Sequence, residues 1–205
     1  MDKNEINSVL MDTILQRRSV RRYEADPVQR DVIEKLLQAA IWGPSAHNRQ
    51  PWRFVVIETQ SQKENLAGAM GTKLRNDLQA DNVPQDLIDK DVAKSYDRIT
   101  SAPILIVLCL TMIDMDVYSD ANRAHNEYIM TVQSVAAAGQ NLLLAAHSLG
   151  LGTCWMCAPL FCPDIVRNAL DLPDDWQAQA LITLGYPAHT PEKSRNSPHD
   201  CVLWR

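Results

Sequence analysis

Residues 136–146 read AAAGQNLLLAA and lie within a longer helical segment, residues 122–149. A helix that is apolar on nearly all sides is typical of a protein core. We therefore predict that this helix lies at the centre of the fold. The longest mainly apolar run, residues 102–112, has the length of a buried strand and is too short to span a membrane.

Short β-rich segments surround the predicted central helix in the sequence. The strand candidates are RFVVIE (53–58), ILIVLCL (104–110), AQALITL (178–184) and the shorter TCWMC (153–157). Helical periodicity marks residues 5–16, 61–80, 84–99 and 163–170. Asp26 and Pro27 are expected to start a further helix, which places Ile33, Leu36, Leu37, Ala40 and Ile41 on one face. Strands separated by helices indicate a mixed α/β or α+β chain with more helix than strand.

The composition is that of one globular domain, residues 1–205, with 46% hydrophobic residues and a formal net charge of −5. This charge argues against a general nucleic-acid binder. Residues 1–53 nevertheless hold nine Lys and Arg against seven Asp and Glu, whereas the rest of the chain holds eleven against eighteen. An acidic protein that concentrates arginine in one stretch can reserve those cations for an anionic ligand.

The N-terminal residues lack the pattern of a secretory signal, and the chain has five cysteines, an odd number that suits reduced thiols. We therefore expect a cytoplasmic protein. Cys154 and Cys157 form a C-x-x-C pair, which could be a redox dithiol or half of a zinc site. The pair follows a helix rather than opening one, and no second pair completes a metal site, so we expect these cysteines to have a packing role. No histidine pair has metal-site spacing either, and no metal is expected.

Two segments could bind a ligand, and each has a simpler explanation. Residues 17–22, RRSVRR, could bind a phosphate bidentately, or could be cations that favour a helix C-terminus. Residues 44–52, PSAHNRQPW, could hydrogen-bond a heteroaromatic ring, or could cap their own backbone. Because neither a G-x-G-x-x-G nor a G-x-x-x-x-G-K motif is present, a cofactor would not be held by a standard glycine-rich turn.

Taken in order, the motifs RRSVRRY (17–23), GPSAHNRQPWRFVVI (43–57), GLGTCWM (150–156), LGYP (184–187) and KSR (193–195) resemble the nitroreductase family of FMN-binding flavoproteins. The resemblance covers nearly the whole chain, from about residue 14 to residue 195. Within that family, AHNRQPWRF, LGLGTCW, LDLPDDW and LGYP look most like the nitroreductase-type domain associated with deazaflavin (factor 420) biosynthesis.

The resemblance implies a cofactor site made of three groups of residues. Arg17, Arg18 and Ser19, joined by Lys193 and Arg195, would meet the FMN phosphate and ribityl chain, with Arg21 near the N1–C2 edge of the flavin. The second group would come from the other subunit of a homodimer and comprises Pro44, Ser45, Ala46, Asn48 and Gln50. The third group would lie against the flavin ring, mainly through backbone atoms, and comprises Cys154, Trp155 and Met156.

The resemblance further implies an α+β fold, with a mixed, mostly antiparallel sheet, flanking helices and a C-terminal tail that crosses the dimer. The implied activity is FMN-dependent NAD(P)H oxidation by ping-pong hydride transfer, with a nitroaromatic, a quinone or a dehydro-deazaflavin as acceptor and no catalytic protein nucleophile. Two alternatives remain open. One is a non-catalytic FMN- or deazaflavin-binding module that partners a γ-glutamyl ligase, and the other is a flavin-fragmenting enzyme of the same superfamily.

Overall fold

The computed structural model describes the backbone of residues 3–205 and the side chains from residue 9 onward. The strands are β1 (Trp52–Ile57), β2 (Ile104–Leu110), β3 (Gly152–Met156) and β4 (Gln177–Gly185). The helices are α1 (Lys3–Gln16), α2 (Arg30–Ala40), α3 (Gln60–Ala80), α4 (Gln85–Thr100), α5 (Ala121–Ser148) and α6 (Pro163–Leu170). The strands form one sheet in the order β1-β2-β4-β3, and all neighbours are antiparallel.

The sheet is covered on both faces, which explains why β2 is apolar without alternation. Every residue of β2 is buried. Ile106 and Leu108 pack in the cluster that includes Leu142 of α5, whereas Leu105 and Val107 pack with Leu66 of α3. Successive side chains of a strand point to opposite faces, so a strand between two helical layers needs an apolar residue at every position.

Helix α5 occupies the central position that its sequence predicts. It begins at Ala121, where the Asp120 side chain accepts a hydrogen bond from the Arg123 backbone N–H. By length and mean hydropathy (1.3) α5 would pass as a membrane span, but 44% of that window is buried inside the protein, and the core helix of a soluble protein has the same properties. Its packing against the sheet accounts for its apolar composition.

The predicted start of α2 at Asp26 and Pro27 is wrong, because that helix begins at Arg30 after an extended Gln29. The chain before it is held extended by pairing with the end of β4. Tyr23 forms a bridge with Pro187, and the Glu24 N–H donates to the Tyr186 carbonyl at 2.9 Å. These long-range hydrogen bonds hold the backbone extended just before a segment whose local sequence favours a helix start.

The other predicted elements are confirmed to within a few residues, and so is the expected α+β fold. The predicted helix over residues 163–170 is found at Pro163–Leu170. In the described chain, residues 187–205 form no helix or strand beyond the single 3₁₀ turn Pro198–Asp200. Among all the residues that the structure describes, the only parallel pairing is the isolated bridge between Ser19 and Thr153.

Candidate functional site

The arginine-rich segment after α1 lies against the edge strand β3. Ser19 pairs with Thr153, and the Val20 N–H donates to the Thr153 carbonyl at 2.8 Å. A Cβ added at Gly152 would lie 2.7 Å from Val20 Cβ, closer than real Cβ atoms approach one another. The glycine therefore permits the close approach that fixes Arg17, Arg18 and Ser19 beside β3.

Arg17 is the most strongly perturbed cation of this segment. It is half-buried and forms no ion pair with the described acidic side chains. Burial lowers its pKa, and so do the nearby positive charges of Arg195 and Arg18. Positive charges that lie close together in a partly desolvated place repel one another, so this arrangement favours the binding of an anion.

The position of Arg18 agrees with the simpler explanation, in which a cation favours the C-terminus of a helix. Its guanidinium donates to the Leu15 carbonyl at 2.6 Å and to the Arg17 carbonyl at 3.0 Å, so it caps the last turn of α1. Arg17 makes no such contact with a carbonyl of the described chain. The helix-end explanation thus accounts for one arginine and leaves the other unexplained.

The C-terminal tail lines an open cavity beside this cluster. A cavity of about 750 Å³ is lined by Gln16 and Arg18 from the first segment and by residues 190–194 from the tail, including Lys193. The exposed Lys193 and Arg195 form no ion pair with the described residues, and Glu192 is the single carboxylate of the lining. The structure therefore brings together the cations predicted from the two ends of the sequence.

Strand β3 presents its backbone, rather than its side chains, at the outer edge of the sheet. The Trp155 indole packs inward on Gly139 of α5, and Met156 packs with the cluster on the opposite face. Apart from the contacts of Thr153 with Ser19 and Val20, the outer edge of β3 has no strand partner in the described chain. An edge strand offers unpaired backbone donors and acceptors to a ligand.

The C-x-x-C cysteines differ in environment. Cys154 is buried and Cys157 is exposed, and both are free thiols. Burial raises the pKa of the Cys154 thiol, an effect that Arg21, Arg98 and Arg17 oppose. A thiol kept protonated is a poor nucleophile and metal ligand.

The loop of residues 44–50 is built on α5 instead of on β3. The Ala46 N–H donates to Ser134 Oγ at 3.2 Å, and the Gln50 N–H donates to Ser45 Oγ at the same distance. Ser45 therefore caps its own loop, as the simpler explanation expects. Together with Met130, Gln133, Ser134 and Ala137 of α5, residues 44–46 line a cavity of about 270 Å³.

Three residues of this loop are held in the left-handed backbone region. His47, Asn48 and Gln50 have φ of 49°, 54° and 51°. Each such conformation costs on the order of 1 kcal/mol for a residue other than glycine, and clusters of them occur at ligand sites. The side chains of Asn48 and Gln50 are exposed and have no hydrogen-bond partner among the described residues, so they remain available to a ligand.

Within one chain, this loop and the cationic cluster lie apart. The loop contacts α5 at Ser134, whereas His147 of the same helix is close enough to Arg17 and Arg18 for their charges, after burial, to lower its pKa. The thirteen positions from Ser134 to His147 correspond to roughly 20 Å along a helix. The two groups of predicted site residues are therefore not brought together in one copy.

A further group of cations was missed in the sequence. Lys90, Lys94 and Arg98 of α4 line a cavity of about 730 Å³ together with Arg21 and Arg22. The signal was their spacing of four residues, which places all three on one helix face. It went unnoticed because aspartates alternate with these cations along α4 and hide the positive face in a linear count.

Comparison with known proteins gives the family of the chain. A family model described as "Nitroreductase family" matches residues 14–186. The chain belongs to the nitroreductase family. The family resemblance drawn from the motifs is confirmed, and the chain is an oxidoreductase.

Individual members of the nitroreductase family match most of the chain. An NADH dehydrogenase of Thermus thermophilus is 30% identical over 93% of this chain and 93% of its own length. A protein assigned as a nitroreductase from Desulfovibrio desulfuricans, solved in complex with FMN, has a TM-score of 0.73 at 26% identity, covering 96% of each chain. A BluB-like flavoprotein from Clostridium difficile has a TM-score of 0.80 at 25% identity, covering 96% of this chain and 98% of its own.

Proposed function

We propose that this nitroreductase-family protein is an FMN-dependent NAD(P)H oxidoreductase that reduces nitroaromatic, quinone or related electrophilic acceptors. The observation that carries the proposal is the cluster of Arg17, Arg18 and Arg195 beside β3, in which cations meet without a neutralising ion pair. The donor set fits a phosphate, because guanidinium groups bind phosphate oxygens in pairs. The FMN complex and the NADH dehydrogenase among the relatives support the same cofactors.

The residues of the N-terminal segment and the tail hold the phosphate end of FMN in this proposal. Arg17, Arg18 and Ser19 bind the phosphate and ribityl chain, and Lys193 and Arg195 of the tail complete the site. A phosphate monoester carries nearly two negative charges, which offset the repulsion among these cations. Binding should therefore order the tail against the end of α1.

The reactive end of FMN lies against β3 and Arg21. The outer backbone edge of Cys154, Trp155 and Met156 provides hydrogen-bonding groups in fixed positions, because Trp155 and Met156 pack in the two cores and the Cys154 side chain is buried. Arg21 lies near the N1–C2 edge and stabilises negative charge there. When bound, FMN supplies the hydride chemistry, so the chain needs no nucleophile of its own. Electron donor and acceptor use the same face in turn, as a ping-pong reaction requires.

A homodimer completes the site. Pro44, Ser45, Ala46, Asn48 and Gln50 lie roughly 20 Å along α5 from the cluster of their own chain, so a second copy has to supply them. Large apolar side chains are exposed at several places that a second copy would cover: Val9, Leu10, Met11, Ile14 and Leu15 of α1, Ile41 and Trp42 after α2, and Val202, Leu203 and Trp204 of the tail. Several exposed apolar side chains that are close in the sequence, as in α1 and the tail, are typical of an interaction surface.

Flavin content and turnover of the purified protein test this proposal. We expect a yellow dimer that contains one FMN per chain and oxidises NADH or NADPH when a nitroaromatic or quinone is present. Arg17→Ala should lose FMN, whereas Arg30→Ala, which removes an exposed arginine paired with Glu34, should retain it. Protein that takes up no FMN would refute the assignment. Protein that holds FMN but never turns over would favour the non-catalytic binding module.

A further inference from the structure

The lysines and arginines that form no ion pair are concentrated in two places. Elsewhere the described cations are paired with acids, apart from Arg205 at the C-terminus and the buried Lys63, which donates to the carbonyls of Ala102 and Pro103. The first place is the proposed FMN phosphate site. The second, which we call the α4 groove, is lined by Arg21, Arg22, Lys90, Lys94 and Arg98.

The α4 groove has the charge and the size of a ligand site. Its lining holds five cations and one carboxylate, that of Asp97, on a protein whose formal net charge is −5. Its volume of about 730 Å³ lies within the range of small-molecule sites. Lys90, Lys94 and Arg98 lie four residues apart on one helix face and form no ion pair with the described acidic side chains, so their charges are available to an anion.

The groove lies beside the strand that is proposed to hold the flavin ring. Arg21 belongs to both places, since it lines the groove and follows directly on the segment paired with β3. Arg98, at the end of α4, is also close to β3. Its charge and that of Arg21 oppose the rise that burial causes in the pKa of the Cys154 thiol. A ligand bound in the groove can therefore extend one end to β3.

We propose that the α4 groove binds the phosphate groups of the dinucleotide that donates electrons, and that the protein consequently prefers NADPH to NADH. This inference rests on the proposed function, because it places the donor relative to the FMN site. Lys90, Lys94, Arg98 and Arg22 bind the phosphates, while the nicotinamide reaches the flavin ring beside β3. NADPH carries one phosphate monoester more than NADH, and that dianion gains most from unpaired cations.

The electron donor is a better occupant than the acceptor. Nitroaromatics and quinones need carry no charge, so such a cationic groove would contribute little to their binding. A dinucleotide carries its phosphates at a distance from the reacting ring, so its phosphates can bind in the groove while its nicotinamide reaches β3. An anionic acceptor is the competing occupant, and the experiment below separates the two.

The test compares two double variants of the FMN-loaded protein. Lys90→Gln with Lys94→Gln removes two exposed groove cations, and Arg30→Gln with Lys35→Gln removes two exposed cations of α2 that are paired within the helix. The groove variant should raise KM for NADPH by at least about tenfold, with a smaller effect for NADH and little change in kcat. The α2 variant should leave both values of KM unchanged. Asp97→Asn removes the one carboxylate of the lining and should lower KM for NADPH.

Two measurements keep the inference separate from the proposed function. FMN content, and reoxidation by quinone of protein reduced with dithionite, test the proposed function without any dinucleotide. Calorimetric titration with 2′,5′-ADP tests the groove without turnover, and binding should weaken steeply with added salt in the wild-type protein. An unchanged KM for NADPH in the groove variant would overturn the inference. So would a rise in KM confined to an anionic acceptor, or equal use of NADH and NADPH by the wild-type protein.

Discussion

Gly152→Ala should detach the arginine segment from β3. The new Cβ would lie 2.7, 2.8 and 2.9 Å from Val20 Cβ, Cγ1 and Cγ2, whereas ordinary contact begins at 3.4 Å. Val20 is branched at Cβ and buried, so the segment has to move by several tenths of an ångström. A shift of this size would stretch the 2.8 Å hydrogen bond from the Val20 N–H to the Thr153 carbonyl towards its limit. Overpacking costs about 1–3 kcal/mol, and a weakened hydrogen bond adds about 1 kcal/mol.

Chemical unfolding of the apoprotein and FMN titration followed by flavin fluorescence measure the two consequences. Gly152→Ala should lower the free energy of unfolding by about 2–4 kcal/mol and weaken FMN binding by about tenfold or more, because Arg17, Arg18 and Ser19 move together. Gly68→Ala is the matched control, since its Cβ meets nothing within 4 Å on α3. The control should stabilise the protein by about 0.5–1 kcal/mol and leave FMN affinity unchanged. Wild-type stability and affinity in Gly152→Ala would refute the reasoning.

Three further changes test other parts of the structure. Cys154→Ala with Cys157→Ala should leave turnover largely intact, and lost turnover with FMN still bound would point to a dithiol role. Burial and nearby arginines hold the pKa of His147 below its ordinary 6.5. The unfolded chain therefore takes up the proton more readily, and the apoprotein should lose stability as pH falls through that value. His147→Asn should reduce this loss of stability, and a variant with the same pH profile as the wild-type protein would contradict the shift. Gly139→Ala should cost about 1–3 kcal/mol in unfolding free energy, since its Cβ would overlap the Trp155 ring, and a neutral result would contradict the packing.

Local sequence was sufficient to predict α5 and α6. Pro163 sets the start of α6, and the apolar residues of α5 predict a helix that the sheet then covers. The start of α2 could not be predicted from Asp26 and Pro27. Hydrogen bonds of Arg22 and Glu24 with residues 186–188, more than 150 positions away, hold the chain extended just before these two residues, and such pairing leaves no local pattern.

The site shows the same division between local and long-range information. RRSVRR and the loop of residues 44–52 were recognisable as motifs, but the sequence did not show that Ser45 caps its own loop or that Arg18 caps α1. The α4 groove depends on packing α4 beside Arg21 and Arg22, which lie about 70 residues earlier in the chain. A cluster of positive charges built from such distant segments becomes visible only in the folded structure.

The affinity of the apoprotein for FMN relative to riboflavin tests the central claim most directly, because the two ligands differ only in the phosphate. Wild-type protein should bind FMN at least about 100-fold more tightly than riboflavin, since two or more charge-assisted hydrogen bonds each contribute about 1.5–3 kcal/mol. Arg17→Ala should reduce this ratio by about tenfold or more without weakening riboflavin binding. Equal affinity for the two ligands, or a ratio unaffected by Arg17→Ala, would contradict the assignment of the cationic cluster to the FMN phosphate.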